Sequence, residues 1–176
     1  MATTAPKARS EAAEHLKAVA LRLFAERGID GVTVRQIAEA AGQKNHAVVG
    51  YYFGSKEALV RELIVDGARA IDVRRNAWLD ACEAKGGPLS VAEVIEGMIE
   101  TSLDPDAASG DESFNRFFTL LGLSHRGFFM EALEGQWNTG YQRCLNHLRR
   151  MMPDMPVAKK NERFVFLGGT LGAILA

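Results

Sequence analysis

Apolar residues recur along this chain at the three-to-four-residue spacing of helices almost throughout. Leu16, Val19, Ala20, Leu23 and Phe24 follow i, i+3, i+4, i+7, i+8. They predict a first helix over Ala12–Arg27, stopped by Gly28. Ile29-Asp30-Gly31 makes a tight turn. Thr33 then opens a short second helix: Gln36, three residues on, completes a capping box, and Val34, Ile37, Ala38 and Ala41 form the apolar face before Gly42 ends it. A third short helix starts near Asn45 and carries Val48, Val49 and Tyr52 up to Phe53-Gly54. Ser55 caps a longer fourth helix with a stripe of Val60, Leu63, Ile64, Gly67, Ala68 and Ile71. Nothing in the first 80 residues alternates as a strand would.

The rest continues in kind. Gly86-Gly87-Pro88 is a break, and Ser90 with Glu93 forms a second capping box ahead of Val91, Val94, Ile95, Met98 and Ile99. Asp104–Asp111, holding Pro105 and Gly110, reads as a surface loop. Phe114, Phe117, Phe118 and Leu121 mark another helix. Leu133, Trp137, Tyr141, Leu145 and Leu148 predict one helix from near Met130 to Met152, ended by Pro153-Asp154-Met155-Pro156. A final helix follows from about Val157. The predicted fold class is all-α: a three-helix head over residues 9–54 and a helical body over 55–176, with the fourth helix, 55–80, linking them.

Composition narrows the class. With 47% hydrophobic and 24% charged residues the chain is a packed globular protein, not a disordered one. Its uncharged run from Phe164 to Ala176 is 13 residues, short of the roughly 20 that a bilayer requires, so no membrane role is expected. Cys82 and Cys144 have no metal-ligand or CxxC spacing, which points to a reduced, cytoplasmic protein without metal or cofactor. The net charge of −1 is unevenly spread, since residues 1–60 carry 8 basic against 6 acidic side chains and residues 61–110 carry 5 against 10. A mildly basic head beside an acidic middle is compatible with nucleic acid, though charge of that size is often only solvated surface.

Two short helices joined by a glycine turn, braced by a longer one, are the outline of a helix-turn-helix. The second short helix must enter a major groove about 12 Å wide while the first crosses the backbone. A small helical bundle gives the same outline. Three stretches sharpen it: Ala20-Leu21-Arg22-Leu23-Phe24-Ala25-Glu26-Arg27-Gly28, Gly31-Val32-Thr33-Val34-Arg35-Gln36-Ile37-Ala38, and Tyr51-Tyr52-Phe53-Gly54-Ser55-Lys56-Glu57-Ala58-Leu59. Over residues 10–60 the chain resembles the DNA-binding head of the TetR (tetracycline-repressor) family of bacterial regulators. Its turn and recognition segment, Ala41 to Phe53, is one residue longer than the family's commonest version and resembles a minority branch. Gly50 stands where a large polar residue is common, and Tyr52 where His is usual.

Roles follow from the chemistry and agree with the resemblance. Thr33 and Lys56 sit at helix N-termini, where backbone N–H groups and the helix dipole favour a phosphate; Thr33 is a plain N-cap at the same time. Arg35 can reach a phosphate or a guanine edge. Lys44, Asn45 and His46 open the recognition helix, where Asn suits adenine and Lys suits guanine or phosphate. Gln43 lies in the turn, Tyr51 offers a hydroxyl to phosphate, and Tyr52 either joins it or packs inward.

In the body, Met98, Phe114, Phe117, Phe118, Leu121, Phe129, Trp137 and Tyr141 supply many large apolar groups. A filled core accounts for them. The resemblance implies instead that some line a pocket for a small apolar or aromatic effector. Leu167, Gly168, Leu171, Gly172 and Leu175 form a small-residue face on the last helix, and the resemblance implies a homodimer interface there. Because the sequence ends within an apolar helix, a longer natural chain is expected. The implied function is a repressor binding a palindromic operator as a homodimer, acting in the cytoplasm on the nucleoid and released by the effector. Two alternatives remain at this point: a DNA binder without a ligand, and a helical ligand-binding protein or enzyme with an incidental head. No P-loop, GxGxxG or nucleophile elbow is present, so no catalytic residues are expected.

Overall fold

The computed structural model describes residues 6–103 and 113–176, with side chains from residue 11 onward; the loop expected over Asp104–Asp111 lies outside the described residues. Those residues form helices and no strand: α1 (Pro6–Arg27), α2 (Val34–Ala40), α3 (Val48–Phe53), α4 (Lys56–Glu83), α5 (Val91–Glu100), α6 (Ser113–Ser124), α7 (Arg126–Leu133), α8 (Thr139–Met151) and α9 (Val157–Leu175). The all-α fold is therefore as the periodicity predicts. Among the described residues no helix is long and apolar enough to cross a membrane.

Local chemistry sets the limits of α2. Thr33, in an extended conformation, accepts from Gln36 N through its hydroxyl, while the Gln36 side chain accepts from Thr33 N at 2.8 Å. At the other end Gly42 takes φ 68°, so that Gly42 N donates to Glu39 O and Gln43 N to Ala38 O. These two bonds satisfy the last carbonyls in the manner of a left-handed glycine cap. The second box differs by one residue from the pattern. Ser90 accepts from Glu93 N as expected, but the Glu93 carboxylate takes Leu89 N at 2.8 Å.

One predicted helix is two. The spacing of Leu133, Trp137 and Tyr141 suits a continuous helix, yet the chain breaks between α7 and α8. Glu134, Gly135 and Trp137 there have φ of 47°, 72° and 56°. The physical reason lies on α4. Asp72 accepts from Gly140 N at 2.8 Å and from the Thr139 hydroxyl at 2.9 Å, giving α8 an N-terminus of its own.

Two apolar cores result, and the first of them cuts across the head–body division at residue 54. The first joins Leu16, Ala20, Phe24, Ile37 and Val49 of the head to Leu59, Val60 and Ile64 of α4 and to Phe117, Leu121 and Leu133 of α6 and α7. α1 packs more extensively on α6 than on any other helix. The Phe24 and Phe117 rings stack at 6.1 Å. The second core holds Leu79, Val94, Met98, Cys144, Leu145, Leu148, Phe164 and Leu171. Gly67 belongs where the first core meets α6, because a Cβ there would overlap the Phe114 ring. Close packing, not flexibility, explains that glycine.

Polar ties fix α4 between these cores. Asp72 and Arg75, one turn apart, are both buried. Arg75 donates to Met98 O at 3.0 Å and to the hydroxyls of Thr101 at 3.0 Å and Ser102 at 2.7 Å. It thereby closes the C-terminal end of α5, while Asp72 opens α8. Lys17 of α1 reaches Asp66 of α4 at 2.7 Å and Glu62 at 3.2 Å. Burial alone would depress that ammonium; the hydrogen bonds to Asp66 and Glu62 outweigh it and hold the pKa above its ordinary value.

Candidate nucleic-acid interface

The exposed end of the head is built by α2, the α2–α3 turn and α3. Buried Ile37, Val49 and Phe53 hold the two short helices against α1 and α4. Outward from that floor, Arg35, Lys44, Asn45, His46 and Tyr51 are exposed, with Gln43 and Tyr52 half-buried. Tyr52 packs against the first core, its ring edge-on to Tyr51 at 5.0 Å.

The recognition helix starts later than its sequence suggests. Asn45 Oδ1 accepts from Ala47 N at 3.0 Å, a local bond that holds residues 45–47 in a turn and delays α3 to Val48. Lys44, Asn45 and His46 therefore stand in the turn that leads into α3. The Asn45 amide keeps its two N–H donors for a partner; its oxygen is engaged.

Lys56 is placed differently from a simple phosphate contact. Its Nζ donates to Ile29 O at 2.9 Å and Val32 O at 3.1 Å, tying the α1–α2 turn to the start of α4. One of the three ammonium donors is left for an external oxygen. The Lys56→Met variant should lose about 2 kcal/mol, because two bonds from a charged donor disappear and two carbonyls lose their partner. For a chain of this size that is a fall of about 6 °C in unfolding temperature, measurable without DNA. A fall of under ~1 °C would mean that the carbonyls are satisfied without it.

Sequence reasoning missed Glu39. Its Oε1 accepts from Arg35 Nε at 2.8 Å and lies 3.5 Å from His46 Nε2, so one carboxylate stands between α2 and the turn. The hydrogen bond from Arg35 holds the Glu39 carboxyl below its usual range. The spacing of four between Arg35 and Glu39 was the available signal.

Residues 16–63, which run from the middle of α1 to the first turns of α4, match the model of the tetR family of bacterial regulatory proteins. The chain carries a tetR-family head. The matched stretch holds the helix-turn-helix, the DNA-binding element of that family's regulators. The crystal structure of a TetR family transcriptional regulator, PfmR from Thermus thermophilus, superposes with a TM-score of 0.57 at 18% identity, covering 89% of this chain and 84% of that one. At that identity the likeness extends the shared fold through the body. No curated protein sequence matches the chain.

The tetR-family head is thus attached to a body whose eight candidate pocket residues do not converge. Met98 and Tyr141 belong to the second core, whereas Phe114, Phe117, Phe118, Leu121, Phe129 and Trp137 belong to the first. Met98, Phe117 and Leu121 are almost wholly buried. On α9, Leu171 is buried and Leu167, Gly168, Gly172 and Leu175 are half-buried. Gly172 O accepts from the Thr119 hydroxyl of α6 at 3.2 Å. The outward side of α9 is Val165, Phe166 and Ile174, each more than 60% exposed. An open groove of about 520 Å³ at the far end of the body runs between Gly86-Gly87 and α8. Two of its lining side chains already have carboxylate partners: Arg143 pairs with Asp80 at 2.7 Å and Glu83 at 2.9 Å, and His147 meets Glu83 at 2.9 Å.

Proposed function

We propose that the protein is a repressor that binds a palindromic operator as a homodimer and is released by a small apolar or aromatic effector in its body. The observation that carries this reading is the exposure of Arg35, Lys44, Asn45, His46 and Tyr51 together on a tetR-family head whose apolar floor is fully packed. Thr33, Gln43, Tyr52 and Lys56 frame that surface. Thr33 and Gln43 fix the ends of α2, and Lys56 fixes the turn ahead of it.

A two-fold dimer places two such heads about 34 Å or a multiple apart, which is what a palindrome demands. The outward apolar side of α9, Val165, Phe166 and Ile174, suits contact with a second copy; burying three such side chains contributes several kcal/mol at about 25 cal/mol per Å². For the effector, the half-buried rings of Phe114, Phe118, Phe129 and Trp137 beside α4 give an apolar ligand a place to act on the helix that carries the head. By linkage, a ligand that lowers DNA affinity has its own affinity lowered equally by DNA.

The deciding experiment is selection from a random duplex library at roughly physiological salt, where non-specific binding is weak. Enrichment of a palindrome is expected. Lys44→Ala should then weaken binding to all sequences and lower the magnitude of the salt slope by about 1. A folded dimer that enriches no sequence would overturn the repressor reading and favour a ligand-binding body with an incidental head. An operator complex that no apolar compound releases would favour the ligand-free DNA binder.

A further inference from the structure

An exposed carboxylate on a surface that meets DNA is repelled by every phosphate, so Glu39 needs a reason to stand there. Its geometry supplies one. Arg35 is exposed over 70% of its side chain, yet its Nε is held by Glu39 Oε1 at 2.8 Å across one turn of α2. A solvated arginine loses its rotamer freedom when it docks. Arg35 has lost much of that freedom already, and the remaining donors of its guanidinium are the two terminal nitrogens. Those nitrogens form the fork that matches O6 and N7 of guanine.

We propose that Glu39 is the positioning residue that makes Arg35 a reader of guanine, an inference that rests on the head docking on duplex DNA as above. The carboxylate acts in two ways. It aims the fork, and it cancels the charge that Arg35 would otherwise offer to any phosphate. The same Oε1 faces His46 Nε2 at 3.5 Å, which puts Glu39 beside the turn leading into α3 and not on a remote face of α2. Specificity arises here from a repulsive group as much as from an attractive one.

The test is the library selection above, run on wild type, Arg35→Ala, Glu39→Ala and Glu39→Gln, with competition by non-operator duplex. Arg35→Ala and Glu39→Ala should lose preference for guanine at the same position of each half-site, about tenfold in discrimination. A further variant that combines Arg35→Ala with Glu39→Ala should lose no more than either alone. Glu39→Ala should also bind non-operator DNA about fivefold tighter at ~0.15 M salt, the worth of one added phosphate contact. Glu39→Gln keeps an acceptor for Nε without the charge. It should therefore retain the guanine preference while sharing the tighter non-operator binding. Loss of preference in Glu39→Gln equal to that in Glu39→Ala, an unchanged preference in Glu39→Ala, or a loss at a different position from Arg35→Ala would each overturn the proposal. Failure of the wild type to enrich any sequence would instead overturn the DNA-docking reading on which it rests.

Discussion

Asp72→Ala is expected to lower the unfolding temperature by about 9 °C. Asp72 is buried and accepts from Gly140 N and the Thr139 hydroxyl at the start of α8. Removing the carboxylate orphans a buried N–H, which costs about 1–3 kcal/mol, and removes an N-terminal cap, which costs about 1 more. The sum, about 3 kcal/mol, converts at about 2–4 °C per kcal/mol for 150–250 residues. Arg75 aggravates the loss, since its buried guanidinium loses a neighbouring negative charge while still spanning to Met98, Thr101 and Ser102. Asp72→Asn keeps one carbonyl acceptor and should lose about half as much. Thermal unfolding followed by circular dichroism measures both. A fall below ~2 °C in the alanine variant would sink the idea that α8 begins where it does because of Asp72.

That residue also marks where local reading stops. The ends of α2 were legible because every group that sets them lies within a few positions: Thr33 with Gln36 at one end, Gly42 with Ala38 and Glu39 at the other. The break between α7 and α8 was not. Its i, i+4 apolar spacing is what a continuous helix would show, and the group that decides against it lies 68 positions away. Gly135 alone is a weak signal, since a glycine inside a helix is destabilising by only about 1 kcal/mol. The late start of α3 was nearer to hand. Asn45 favours turns because its side chain can take a nearby backbone N–H, and it takes that of Ala47.

The candidate site divides in the same way. Exposure of Arg35, Lys44, Asn45 and His46 followed from polar residues at fixed offsets from an apolar floor, and the short-range Arg35–Glu39 pair was within reach of the helical spacing rule. The bonds of Lys56 to Ile29 O and Val32 O join positions 27 and 24 apart through backbone atoms, which carry no sequence signature. In the body, a list of aromatic and methionine residues says nothing about which helix faces meet. Phe117 and Met98 look alike in the sequence and fill different cores.

Phe117→Ala should remove about 4 kcal/mol, near the middle of the range for truncating a buried phenylalanine. The expected fall in unfolding temperature is about 12 °C. Phe117 is 1% exposed, and its ring stacks on Phe24, itself 1% exposed, from the head. The more telling consequence is where the loss is felt. The head and α6 share one core, so a cavity at residue 117 should loosen α1 as well as α6 and leave a single unfolding transition. Hydrogen exchange at Leu16, Ala20 and Phe24 should accelerate together with that of α6. If the head kept its protection and melted separately, residues 9–54 would be a domain with its own core, joined to the body only by α4. With a shared core, any change in how α6 packs reaches α1 directly, without passing through α4. The short route from the body to the exposed face of α2 then runs through Phe117, Phe24 and the Ile29–Val32 turn held by Lys56.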